Sequence, residues 1–238
     1  MSQEPSGASA PRSALIVGAG SGLSASLARL FAKEGMSVAL AARSAEKLAE
    51  FVAATGTKTY NCDAAKREDV EALFAELDKD SIAPDVVVYN PSYRVRGPIA
   101  ELDPAEVEKS LAITAFGAFL VAQQAVRRML KKGAGTIIFT GASAGVKGYP
   151  LSAPFAMGKF ALRGLAQSMA RELHPQGIHV AHVVIDGGIA SARRPADPAK
   201  PDALLDPEAI ARDYWHLIRQ PRSSWSWEIE VRPWVEKF

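Results

Sequence analysis

The chain alternates short apolar runs with longer stretches in which apolar residues recur every three or four positions. Residues 13–17 (Ser-Ala-Leu-Ile-Val) form a compact run, and Leu23, Leu27, Leu30 and Phe31 follow at helical spacing. Similar runs return at 37–41, 58–61, 85–89, 135–140 and 178–185, with 58–61 weaker than the rest. Continuous apolar runs of this length read as strands buried on both faces. Between them, residues 67–79, the stretch from Asp103 to about Met129, residues 155–174 and residues 207–219 carry the helical period. Helix formers at 45–54, with Leu48, Phe51 and Val52 available to face a sheet, predict a further helix. Strands alternating with helices at this pitch predict a parallel sheet with right-handed crossovers.

Local signals fix several ends. Asp103-Pro104 with Glu106 supplies a cap, a proline at the first helical position and an acid in the first turn. The basic run Arg127–Lys132 suits the negative end of that helix dipole, and Gly133 stops it. We read this run as a solvated helix end, not a phosphate patch. The tail from Trp225 to Val231 alternates well enough for a final edge strand, and its tryptophans suit core cover or a subunit interface. Residues 188–205 break the pattern with Pro195, Pro198, Pro201, Arg193 and Arg194. An irregular insertion after a sheet strand predicts a lid over a site, with plain disorder as the alternative. Residues 1–12, rich in Ser, Ala, Pro and Gly, read as a disordered lead-in, so 13–238 reads as a single domain.

Composition narrows the functional classes. The 238 residues carry 28 basic and 26 acidic side chains, so no strong field argues for nucleic acid. A single cysteine, Cys62, excludes an internal disulfide framework and a cysteine metal cluster. His179 and His182 are three apart on one strand and point to opposite faces, so no metal is expected. No signal-peptide pattern and no apolar run of membrane-spanning length occurs, which makes the cytoplasm the expected location.

Chemistry enters at the first glycine cluster. Gly18, Gly20 and Gly22, with Ser21 between them, lie after a strand and before a helix that opens at Leu23. Glycines let such a turn close and let backbone approach a pyrophosphate, whose charge suits helix N-terminal amides.

Together with Asp63, Asn90 and Lys159, the spacing Gly18-x-x-x-Gly22 resembles the short-chain dehydrogenase/reductase family in its single-domain form. The resemblance implies a Rossmann-type doubly wound α/β fold, a seven-stranded parallel sheet in the order 3-2-1-4-5-6-7 with helices on both faces. It implies a homodimer or homotetramer and an oxidoreductase that moves hydride between a nicotinamide cofactor and a carbonyl or alcohol. It also implies cofactor contacts at Gly18, Gly20, Ser21, Gly22 and Leu23, with Asp63 beside the adenine amine. Asn90, Lys159, Gly187 and Ser191 fall toward the nicotinamide. Several places depart from the family pattern: Val17 stands in the usual threonine place, and Ser191 where a threonine is common. Ser24 replaces the last turn glycine and narrows the approach; Asn90-Pro91-Ser92 stands for Asn-Ala-Gly; Asp186-Gly187 stands for Pro-Gly.

Charge selects the cofactor. After the second strand comes Ala42-Arg43-Ser44, with no acid until Glu46. Arg43 can pair with a 2′-phosphate and Ser44 can donate to it, which favours NADP(H) over NAD(H). The alternative is an Arg43 that only stacks on adenine or faces solvent.

The catalytic half departs further. The family uses Tyr-x-x-x-Lys, and this chain has Phe155-Ala156-Met157-Gly158-Lys159. A phenyl ring has no proton to give. The family's serine aligns to Ala142, with Ser143 one place later, and its helix asparagine falls near Thr114. Thr114 either bonds a water or backbone carbonyl in the site, or its own preceding helical turn. Tyr149 and Tyr93 are the candidate proton donors, with aromatic lining as the other role of each. The leading expectation is an NADP(H)-dependent oxidoreductase with an atypical proton supply. The alternatives are a catalytically reduced dinucleotide-binding protein and an enone reductase.

Overall fold

The computed structural model describes residues 11–48, 52, 56–192 and 194–236. Residues 1–10 of the expected lead-in, residues 49–51 and 53–54 of the helix expected at 45–54, together with residue 55, Arg193 and the last two residues lie outside them. Pro11 and Arg12 run straight into the first strand, and the Arg12 amide donates to Asp85 Oδ2 at 2.7 Å. The end of the predicted lead-in is therefore held.

The strands are β1 Ser13–Val17, β2 Ser37–Ala42, β3 Lys58–Asn61, β4 Val86–Tyr89, β5 Gly135–Thr140, β6 Ile178–Ile185 and β7 Glu228–Val231. All pairings are parallel, in the order β3-β2-β1-β4-β5-β6-β7. Helices are α1 Leu23–Lys33, α2 Arg67–Lys79, α3 Pro104–Leu111, α4 Gly117–Lys132, α5 Ala153–Leu173 and α6 Pro207–Arg219. Residues Ala45–Leu48, expected to open a helix, form a 3₁₀ turn.

Alternate strand residues face two apolar cores. One packs α2, α4 and α5 against Leu15, Val87, Ile137 and Val180. The other packs α1 and α6 against Ile16, Val88, Ile138 and Val183. A sheet covered on both faces explains why its interior strands read as unbroken apolar runs.

The stretch expected as one helix from Asp103 is interrupted. Asp103 caps α3 as predicted, accepting from the Ala105 amide at 2.9 Å. Ala112–Phe116 then form a π turn before α4 begins. Such a turn shifts carbonyls out of the regular ladder, and the buried Tyr89 hydroxyl donates to that of Ile113 at 2.5 Å. Residues 188–205 are not structureless either. The Ala190 amide bonds the Leu205 carbonyl and the Leu205 amide bonds that of Gly188, at 2.9 and 2.8 Å, so the loop is tied at its neck.

Candidate active site

Every predicted site residue but Thr114 and Lys159 lies at or just beyond the C-terminal end of a strand, where open α/β sheets bind ligands. Two cavities open there. The first, about 290 Å³, lies between Gly18, Arg43, Asp63, Asn90 and Pro91. The second, about 460 Å³, lies between Ser143, Tyr149, Phe155, Lys159 and Gly187. Asn90 and Ser92 line both, so the two cavities meet there.

In the glycine turn, Gly18 has a φ of +81°, and a Cβ on it would lie 2.7 Å from the Pro91 ring. Proline after Asn90 therefore packs directly on the turn and requires glycine beneath it. Gly20 and Gly22 differ: a Cβ on either would meet nothing within 4 Å. Among the described residues, no packing demands them. The open space above them is a cradle beside the first amides of α1, which no side chain caps. Ser21 is exposed in this turn and Leu23 is buried as the first residue of α1. A pyrophosphate fits that cradle on charge and on space.

Ser24 does not narrow the approach as expected. It is buried, its hydroxyl donates to the Gly18 carbonyl at 3.0 Å, and it accepts from Asn90 Nδ2 at 2.8 Å. The serine stitches the Asn90 segment to the turn, a role sequence reasoning missed. Asp63 accepts from the Ala65 amide at 3.1 Å, which orients its carboxylate in the first cavity. Arg43 lines the same cavity from the end of β2, with Ser44 next in the turn.

The second cavity is built on α5. Lys159 is buried, and its Nζ donates to the Thr140 carbonyl at 2.7 Å. Burial pushes its pKa down from 10.5 to about 7. Phe155, one turn earlier, places its ring centre 5.8 Å from that nitrogen. Ser143 and Ala142 both reach the wall, at the start of a 3₁₀ turn. Tyr149 also lines it, partly exposed, with Lys147 Nζ 5.7 Å from its ring centre.

Three candidates stand apart. Thr114 is wholly buried and lines neither cavity; its hydroxyl accepts from the Tyr93 amide at 3.4 Å. The Tyr93 hydroxyl donates to Glu106 at 2.6 Å on α3, so its proton is committed outside the second cavity. Ser191 lines neither cavity, and its backbone pairs with Arg194.

Gly187 has a φ of +150° and lies under Pro233, so the chain after β7 covers this corner. Asp186, in place of the family's proline, is buried but not isolated. Lys147 and Arg232 reach its carboxylate at 3.8 and 3.2 Å. The second cavity also contains Arg94, Arg96 and Arg194, which carried no motif in the sequence. Among the described residues, no group of three or more His, Cys, Asp or Glu is placed to hold a metal, and no helix is long and apolar enough to cross a membrane.

The short chain dehydrogenase family model matches residues 12–198. A crystal structure of a short-chain dehydrogenase from Rhodopseudomonas palustris is 36% identical, covering 94% of this chain and 99% of that one, with a TM-score of 0.82. A metagenomic short-chain oxidoreductase solved in complex with NADP is 28% identical, covering 93% and 97%, with a TM-score of 0.81. An uncharacterized oxidoreductase of Thermotoga maritima is 31% identical over 198 residues, 80% of this chain and 78% of its own. With the strand order, the glycine turn and Lys159 already in place, these similarities establish that the chain belongs to the short chain dehydrogenase family of oxidoreductases.

Proposed function

We propose that the chain is an NADP(H)-dependent oxidoreductase that moves hydride to or from a carbonyl or alcohol, with Lys159 supplying the proton that the family takes from tyrosine. The observation that carries this reading is the buried Lys159 ammonium, in the wall of the second cavity, beside a Phe155 ring that has no proton to give. A pKa near 7 suits an acid that must both give and regain a proton at neutral pH. The nicotinamide supplies hydride when bound, and the chain's part is to hold, orient and exclude water. In this reading Gly18, Gly20, Ser21, Gly22 and Leu23 cradle the pyrophosphate, Asp63 meets the adenine, and Arg43 with Ser44 takes the 2′-phosphate. Asn90 and Gly187 border the nicotinamide, while Ser143 and Tyr149 donate to the substrate oxygen. Thr114 acts behind the wall, by holding the Tyr93 loop.

The metagenomic relative that binds NADP supports the cofactor choice. Titration of the protein with NADPH and NADH, read by tryptophan quenching, tests it. NADPH binds more tightly, and Arg43→Ala weakens NADPH by about 10-fold while leaving NADH nearly unchanged. Equal affinity for both would refute the role of Arg43. A second reading, a cofactor-binding protein with little chemistry, draws on the same Phe155. It requires that no carbonyl compound oxidise NADPH above its spontaneous decay.

Phe116, Phe119, Met157 and Phe160 are exposed on or beside α4 and α5. That apolar strip supports a homodimer or homotetramer, which light scattering checks. The same reading puts the chain in the cytoplasm with its cofactor.

A further inference from the structure

We propose that the second cavity takes a carbonyl substrate carrying a carboxylate, anchored by Arg94 and Arg96. This rests on the oxidoreductase reading above for the chemistry at the carbonyl, but not for the anion site itself.

The two arginines come from the extended loop after β4, two positions apart, so they leave the chain on the same side. Burial along that loop alternates, with Tyr93 and Val95 turned partly inward and Ser92, Arg94 and Arg96 outward. Both arginines line the cavity that Lys159 also lines. The Arg94 guanidinium carbon lies 5.0 Å from the centre of the Phe155 ring, and Lys159 Nζ lies 5.8 Å from the same centre. Phe155 therefore holds Arg94 by a cation–π contact at one edge of the space that Lys159 faces. A phenolic hydroxyl is absent there, and a fixed cation is present.

The charge is not answered from within. Among the described residues, no ion pair within 4 Å involves Arg94, Arg96 or Arg194. Asp186 in the wall is already held by Lys147 and Arg232. Glu236, the other acid there, pairs with none of the three. Four cationic side chains against two acids, one of which is already paired, leave an excess of positive charge in the cleft, and such an excess concentrates anionic ligands. Guanidinium forks match a carboxylate's two oxygens in one plane, which an ammonium does not. The cofactor's 2′-phosphate has its own partner in Arg43, in the other cavity.

The test titrates the protein by calorimetry, with and without NADPH, using pyruvate and acetoacetate, each beside its methyl ester. At least one acid binds about 10-fold or more tightly than its ester. In Arg94→Gln/Arg96→Gln that ratio falls to within twofold of unity, while NADPH affinity and thermal midpoint stay as in the parent. Esters that bind as well as acids, no binding of either acid, or a preference that survives the double substitution would overturn the proposal. So would a loss of NADPH affinity matching the loss of acid binding, since the arginines would then serve the cofactor. An acid that binds selectively but never oxidises NADPH leaves the anion site standing and removes the role of Lys159 as proton donor to that acid instead.

Discussion

At the scale of single residues, the chemistry turns on Phe155 and Lys159. Phe155→Tyr places a phenol one helical turn from a buried ammonium, the arrangement that lowers a tyrosine's pKa. The substitution raises kcat/KM for carbonyl reduction by about 10²-fold, the low end of what a positioned acid contributes. Initial rates of NADPH oxidation measure it, and no gain would mean that the cavity is not built around that position. With Lys159 as the proposed acid, the parent's rate of carbonyl reduction falls as the pH rises through about 7. In Phe155→Tyr that dependence moves, because the proton then leaves oxygen. Much of this site was legible residue by residue. Gly18, Asp63, Asn90 and Lys159 stand at the spacing the family uses, and each lines a cavity. Ser24 was not legible, because its hydroxyl turns inward to Gly18 and Asn90, and a one-dimensional comparison shows only a larger side chain than glycine. Arg94 and Arg96 escaped for the opposite reason: basic residues in an exposed loop carry no spacing rule, and only the fold brings them to Lys159.

At the scale of elements, strand limits were the most readable feature. The runs at 13–17, 135–140 and 178–185 coincide with β1, β5 and β6. Strands buried on both faces end where the first polar or glycine residue must meet solvent or a turn, and that change is visible in the sequence. The π turn at 112–116 was invisible. One extra residue in a turn barely disturbs an apolar period, and the Tyr89 hydroxyl that meets Ile113 comes from another strand. Just after it, Gly117 packs so closely that a Cβ would lie 2.5 Å from both the Ala64 carbonyl oxygen and the Tyr89 hydroxyl. Backbone and a buried ring cannot give way as a flexible side chain does. Gly117→Ala therefore costs about 1–3 kcal/mol of stability. Denaturant unfolding checks this as a lowered midpoint with an unchanged slope; an unshifted midpoint would show that α4 can slide without cost.

At the scale of the whole molecule, β6 is the strand where stability and pH meet. His179 stacks on Trp225 with ring centres 4.8 Å apart and bonds the Ser226 carbonyl. His182 faces Glu228, which Arg163 also holds. Burial holds both imidazoles at about 4, below their ordinary 6.5. Between those values the unfolded chain binds protons that the folded chain refuses. Their contribution is complete above about 6.5 and is lost as the pH falls toward 4, roughly 3 kcal/mol for each histidine. Thermal midpoints followed from pH 7 to pH 4 fall steeply, and replacing His182 with Gln flattens part of that slope. A flat profile would mean that both rings are already charged in the folded protein. The order of the seven strands was readable only through the family resemblance, since periodicity gives strands but not their neighbours. The loop at 188–205 has a further consequence. Its two ends meet through one pair of backbone hydrogen bonds between Gly188, Ala190 and Leu205, so everything between them enters and leaves the molecule at a single point. Such a segment is a cassette: it can be exchanged whole for the matching loop of a relative without re-threading the sheet.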